Sequence, residues 1–371
     1  MNNIIDVVDF GAVPDGKTDC TESFQRALDE AGKVLGTVVV PPGEYMCNSL
    51  KMSPRTGIQG YPSWGYRDSN GYSGGAAGGS VIRLLSGENK CLLDITGAFG
   101  VTVKGLCLDG GNLGENVSGI LRESEHFSKE EDTPRIEDCK IGKFTGDGIR
   151  FCRVWCFSVR HCYIYQNKGS GLYILGWDGF ILDNWLSGNR GYGIHGDGPE
   201  GNSTITATGN RIEWNQKGGI YIKDGSAWNI VGNCIDRSGG PAIHITKGRI
   251  SPHNITITGN VLNRSGAPWR KDMAEYESSH IWLEHCFNVI CTSNTMLVGR
   301  DDGAKGEFSP DYGIVVRKLK NCVVKDNVGQ NGAVKKFLVD LGEHGENAKI
   351  EDNFGSHVDD ISTYDWPSWE R

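Results

Sequence analysis

One phrase recurs along this chain and limits what it can fold into. It is an Asn or Cys set just ahead of a short apolar run, at Cys139, Cys162, Asn184, Asn210, Asn233, Asn260, Asn294, Asn327 and Asn353. The early spacings are 23, 22, 26 and 23 residues, stretching to 34 farther on. The clearest copy is STITATGNRIEWNQKGGIYIKDGSAWNIVGN, Ser203 to Asn233, whose alternations TIT and GIYI are too short for helices and read as strands. A period of 20 to 35 residues built from short strands means a solenoid. Three strands and three turns consume that length, so the expected fold is all-β: a right-handed parallel β-helix of about ten coils. Asn fits the repeated turn because it tolerates left-handed backbone, and a stacked amide can bond the coils above and below.

The length of 371 residues would allow several ordinary domains, but the repeat runs through most of it. The expectation is therefore one domain over 1–371: a cap and first strand over 1–45, coils with inserted loops over 46–355 and a tail over 356–371. Fifty-three glycines and 38% hydrophobic residues suit many turns around a thin core, and no window is apolar enough to span a membrane. A net charge of -8 gives nucleic acid no general electrostatic hold. The start MNNIIDVVDF lacks a basic and then apolar leader, which points to the cytoplasm as written and to secretion if a leader was removed. Twelve cysteines, two of them in ladder positions, read as mostly buried free thiols, and no paired CxxC motif suggests a metal. No cofactor is expected. The sequons at Asn116, Asn202, Asn254 and Asn263 read as chance matches in an Asn-rich chain.

The opening has its own grammar. Asp19 and Glu22 have capping-box spacing, Phe24, Ala27, Leu28 and Ala31 form a helical stripe over 20–34, and Gly36 is the expected stop before the strand Thr37 to Val40. A helix here would cover the open end of a solenoid. DFGAVPDGKTDCTESFQRALDEA followed by VVVPPGEY resembles the N-terminal signature of the pectate-lyase-like, right-handed parallel β-helix superfamily, which includes the polygalacturonase-type glycoside hydrolases. The resemblance implies the fold and a carbohydrate-related role. That superfamily also holds polysaccharide lyases, epimerases and phage tailspikes, so it does not choose a reaction. The NTD and RIK motifs of the polygalacturonases and the YGFDPH of the alginate epimerases are missing. GGSVIRLLSG and VKGLCLDGGN, Gly78 to Asn112, are similar to the early coils of the inulin fructotransferase family.

Four stretches look inserted: 60–79, with Tyr61, Trp64, Tyr66 and Tyr72, then the acidic 110–132, 264–279 and 299–312. Long insertions in a repeat belong to a binding face or block end-to-end association. In the superfamily the strand after the Asn turn and its loop lines the groove. Period-2 alternation points Ile149, Leu172, Ile194, Ile220, Ile243, Ile281 and Ile314 inward. The outward columns then read Arg150, Tyr173, His195, Tyr221, His244, Trp282, Val315 and Cys152, Leu175, Asp197, Lys223, Thr246, Glu284, Arg317. Aromatic rings beside polar groups suit sugars, so Arg150, Tyr173, His195, Tyr221, Lys223, His244, Trp282 and Glu284 are the expected substrate-binding set.

Cleavage of a glycosidic bond needs two carboxylates. Asp197 and Asp224, one coil apart and expected to be exposed, are the leading pair, with Asp224-Gly225 also readable as a turn, and Glu213 with Asp236 on the third strand is the competing pair. The function expected is a glycoside hydrolase acting on an oligo- or polysaccharide. The alternatives are a lyase using Lys or Arg as base, a fructotransferase-type enzyme, and a non-catalytic carbohydrate-binding spike or adhesin. Neither nucleic acid nor membrane is an expected partner, and a homotrimer is an arrangement to which such a chain is open.

Overall fold

The computed structural model describes residues 3–61, 79–198, 201–267, 270–299 and 306–361. Trp64, Tyr66 and Tyr72 therefore lie outside the described residues. The chain divides into two compact units: Met1–His195 with Glu200–Ile205, and Gly196–Pro199 with Thr206–Arg371.

Each unit is a run of right-handed parallel β-helix coils with three strand positions, called here the first, second and third faces. In the first unit the third face carries Asp15–Asp19, Gly43–Cys47, Ser80–Leu84, Leu106–Asp109, Lys140–Gly142, Tyr163–Tyr165 and Trp185–Ser187. In the second it carries Arg211–Glu213, Cys234–Asp236, Val261–Asn263, Thr295–Leu297, Val328–Gly329 and Phe354–Gly355. That is more coils than the Asn and Cys ladder announces. In the first unit's earlier coils the ladder position holds other residues: Leu106 in register with Ser80, just ahead of Cys107, which pairs with Lys140.

Strand residues of adjacent coils align one above another, so each coil adds one apolar side chain per column to a shared core. On the second face of the first unit Ile58, Val103, Ile136, Val159 and Ile181 stack in this way and are fully buried. Each such side chain contributes roughly 1.5–3 kcal/mol by leaving water. The expected inward column of the first face is also buried at all seven positions.

The ladder amides bond as their spacing implies. Asn233 Oδ1 accepts from the Asn210 backbone N–H at 3.1 Å and from its Nδ2 at 2.9 Å, while Asn233 Nδ2 donates to the Ala207 carbonyl at 2.9 Å. The unit repeats this through Asn260, Asn294, Asn327 and Asn353. The left-handed residue, however, is the one before the ladder position: Asp138, His161 and Asp183 in the first unit, then Gly209, Gly232, Gly259, Ser293, Asp326 and Asp352 in the second, all with φ between 52° and 70°. A side chain reaching along the stack has to leave from an ordinary backbone, so the sharp bend falls one residue earlier. A second ladder closes the opposite turn. Asn167 donates from both its backbone and its Nδ2 to Asn189 Oδ1, at 3.1 and 2.9 Å, and Ser238 N donates to Ser265 Oγ at 3.4 Å.

The helix α1, Thr21–Val34, packs against Ile4–Asp6, Thr37–Val39 and Leu50–Lys51 with Phe24, Ala27, Leu28 and Ala31 fully buried. Its ends differ from expectation. Cys20 is the N-cap, Asp19 bonds the Thr21 N–H at 2.9 Å, and no capping box with Glu22 forms. The stop is Leu35, left-handed at φ 51°, rather than Gly36. Gly36 is needed for a close approach instead, since a Cβ there would lie 2.5 Å from the Asn3 carbonyl. Among the described residues no helix is long and apolar enough to cross a membrane, and all twelve cysteines are free thiols.

The acidic stretch 110–132 is only partly an insertion, because it contains the first-face strand Ser118–Glu123. The true insertion there is 124–134, and it is clamped. Arg122 points inward in register with Phe151 and uses Nε, Nη1 and Nη2 on Asp132, Ser124, Ser128 and the Cys152 carbonyl. Buried charge is tolerated only when paired and bonded in this way.

Candidate functional site

In the first unit the outward residues Leu121, Arg150 and Tyr173 lie in register on successive first-face strands. Leu121 and Arg150, together with the turns that precede these strands, border a cleft of about 550 Å³. Its acidic groups include Asp147, in the turn ahead of Ile149, and Glu123, at the end of its strand.

Both carboxylates contact the Arg150 guanidinium, Asp147 Oδ2 at 3.0 Å from Nη1 and Glu123 Oε1 at 3.7 Å from Nε. Lys90 Nζ lies 3.4 Å from the other oxygen of Glu123, and the backbone N–H of Ser170 donates to Asp147 Oδ1 at 2.7 Å. The two acids differ in environment, the Asp147 side chain being 13% exposed and that of Glu123 37%. Burial pushes the Asp147 carboxyl above the ordinary carboxylate range, outweighing the Ser170 N–H and the Arg150 charge, which pull the other way.

The same guanidinium lies 4.2 Å from the centre of the Tyr173 ring, and Tyr173 and Tyr192 approach His195 at 5.0 and 5.1 Å between centroids. Farther along these strands Trp177 stacks on Phe127 of the clamped insertion at 3.9 Å, with Trp155 edge-on at 6.5 Å. Of the expected binding residues, Arg150 contacts two acids that sequence reasoning passed over, Tyr173 packs on Arg150, and His195 meets Tyr173 in turn. A signal for the missed strand was present: Gly119-Ile120 repeats the Gly-Ile or Gly-Leu pair of Gly148-Ile149, Gly171-Leu172 and Gly193-Ile194.

In the second unit Tyr221, His244 and Trp282 are in register on the first face. His244 stacks on Trp282 at 4.4 Å, 5° from parallel, and Tyr221 meets His244 edge-on at 5.2 Å. Thr246 Oγ1 donates to Glu284 Oε1 at 2.6 Å. Lys223 pairs with Asp197 at 3.6 Å.

Asp224, expected to be exposed opposite Asp197, is 3% exposed. It is left-handed, at φ 59°, and its two oxygens accept from the backbone N–H groups of Gly248, Arg249 and Ile250 at 2.6–3.0 Å. Its position at the strand end turns the carboxylate into the next coil's loop, where it fixes a turn. Glu213 and Asp236 are in register on the third face, as expected, but each is 2% exposed. Glu213 pairs with Arg211 at 2.9 Å, and Asp236 takes a bidentate grip from Arg264, at 2.9 and 2.7 Å, and a further contact from Arg237. Outward-pointing on a strand does not mean solvated, because Trp214, Phe308 and these arginines cover that face.

Residues 4–75 match the family described as rhamnogalacturonase A/epimerase, pectate lyase-like, and residues 198–358 match the right-handed β-helix region. Residues 114–270 match the periplasmic copper-binding protein family NosD. A stretch of 116 residues is 35% identical to the mannuronan C5-epimerase AlgE6 of Azotobacter vinelandii, covering 28% of this chain and 12% of that protein. The chain therefore spans about an eighth of the length of that curated relative. The solved A-module of AlgE6 superposes with TM-score 0.64 at 17% identity, covering 95% of this chain and 99% of that one. DFA-IIIase from Arthrobacter chlorophenolicus A6, solved with GF2, gives 0.60 at 13% identity, covering 91% and 94%. The catalytic unit of a GH87 α-1,3-glucanase from Streptomyces thermodiastaticus gives 0.56 at 18%, covering 98% and 71%. The pectate-lyase-like right-handed β-helix implied by the N-terminal signature is the fold of this chain.

Proposed function

We propose that this chain is a carbohydrate-active enzyme that hydrolyses glycosidic bonds of an oligo- or polysaccharide at the cleft around Asp147. The observation that carries this reading is the pairing of two unlike carboxyls on one guanidinium: Asp147, raised by burial, and the half-exposed Glu123. Two acids held in different environments divide into acid and base. In this reading Asp147 gives its proton to the leaving glycosidic oxygen, and Glu123 either attacks the anomeric carbon or takes a proton from the attacking water. Arg150 contacts both acids, and Tyr173 with His195 offers ring surface to sugar CH groups. The names of the structural neighbours, a mannuronan epimerase, a DFA-IIIase and a glucanase, support a saccharide as the substrate class.

The test is product release from a panel of neutral and uronic oligosaccharides, with absorbance of an unsaturated product read in parallel. Asp147→Asn and Glu123→Gln are each expected to lower turnover at least about a hundredfold with the melting temperature kept. Because Asp147 must be protonated to act, its titration sets the basic limb of the rate profile, and Asp147→Asn removes that limb. Near-normal rates in both variants would sink the assignment. Unsaturated product would replace hydrolase by lyase.

A further inference from the structure

Two ring nitrogens in the second unit's aromatic column make no hydrogen bond. His244 Nε2 and Trp282 Nε1 are both buried without a partner, although their rings stack on one another at 4.4 Å. Polar atoms buried in this way are uncommon in folded proteins and call for an explanation, a bound group that supplies the bond being one. Their surroundings specify what could make it. Tyr221 and Trp282 keep part of their surface open, whereas His244 between them is 6% exposed.

We propose that Tyr221, His244 and Trp282 form a binding subsite for an uncharged sugar residue, whose hydroxyls bond His244 Nε2 and Trp282 Nε1. This rests on the reading that the chain binds saccharide, but not on where or whether it cleaves one. Aromatic faces take the CH side of a pyranose or furanose ring, and the two nitrogens supply hydroxyl recognition. An anionic sugar fits badly. Burial lowers the His244 pKa to about 3, so the imidazole carries no charge to attract a carboxylate. In the next outward column Glu284 is a carboxylate already accepting from Thr246, while Lys223 faces Asp197 and Arg317 is gripped by Glu343.

The experiment is titration calorimetry of the full chain with three probes: inulin-derived fructo-oligosaccharides, α-1,3-linked gluco-oligosaccharides and oligomannuronate. At least one neutral probe is expected to bind more tightly than oligomannuronate. Trp282→Phe and His244→Phe keep a ring while removing the nitrogen, and each should weaken that neutral ligand about 5- to 10-fold. A melting temperature near that of the parent shows which variant reports on binding, and Trp282→Phe serves if His244→Phe is unstable. Tighter oligomannuronate binding overturns the proposal. So does parent-like affinity in the ring-preserving variants, or the absence of binding by every probe. Since the readout is binding, loss or retention of turnover in the Asp147 and Glu123 variants leaves the result unchanged.

Discussion

Asn233 shows what a single ladder position holds together. Its side chain accepts from the Asn210 backbone and amide, and donates to the Ala207 carbonyl and to Asn260 Oδ1, all at 1% exposure. Replacing it by Ala removes these bonds from buried groups of Asn210, Ala207 and Asn260, a cost on the order of 1–3 kcal/mol. The expected outcome for Asn233→Ala is a lower denaturant midpoint with an unchanged slope, and an unmoved midpoint would show that the amide merely fills the turn. The ladder was legible because it places the same residue type once per coil. The left-handed position beside it was not, because Asp, His, Gly and Ser all occupy it: Asp138, His161, Gly209 and Ser293 share the conformation without sharing a side chain.

The strand Ser118–Glu123 and the insertion 124–134 that follows it behave as one element, held by Arg122. All the guanidinium nitrogens of this inward-pointing side chain are bonded, and Asp132 in turn accepts the Trp155 N–H at 2.8 Å. Arg122→Met would leave Asp132 buried without its counter-charge, costing about 3–5 kcal/mol. The double change Arg122→Met with Asp132→Leu is expected to cost less than Arg122→Met alone, as read from urea denaturation. Equal or greater loss in the double variant would show that the pair is not the clamp. The acidic composition of 110–132 hid this element, since Glu115, Glu123, Glu125, Glu130 and Glu131 make the stretch read as a solvated loop. For the same reason Glu123 was missed, while Arg150, which contacts it, and Tyr173 were found from the alternation of the following strands. Asp224 failed in the opposite direction. Counting residues placed it outward, but a left-handed residue at a strand end leaves the period-2 pattern, and three backbone N–H groups of the next loop captured its carboxylate.

For the molecule as a whole, stability between pH 6.5 and 4 depends on histidines that folding keeps neutral. His244 and His280 are both buried, and burial lowers each pKa from 6.5 to about 3. His280 occupies a strand position that elsewhere holds Gly148, Gly171, Gly219, Ala242 or Gly313, and its burial outweighs the one contact that favours its charged form, with the Leu297 backbone. The sign follows from proton counting. Between pH 6.5 and about 3 the unfolded chain binds protons at these two sites and the folded chain does not, so their contribution is complete above 6.5 and is lost as the pH falls. Asp147, raised by burial, acts in the opposite sense, favouring the folded state as its own window is entered from above. With two histidines against one such aspartate, the melting temperature is expected to fall from pH 6.5 toward pH 4. His280→Ala, which restores the small residue found at Ala242, should make that fall shallower even if the cavity it leaves lowers the melting temperature at neutral pH. The decisive quantity is the slope of unfolding free energy against pH, since a cavity shifts its level without changing it. A slope identical to that of the parent would mean that His280 titrates equally in both states and that burial does not keep it neutral.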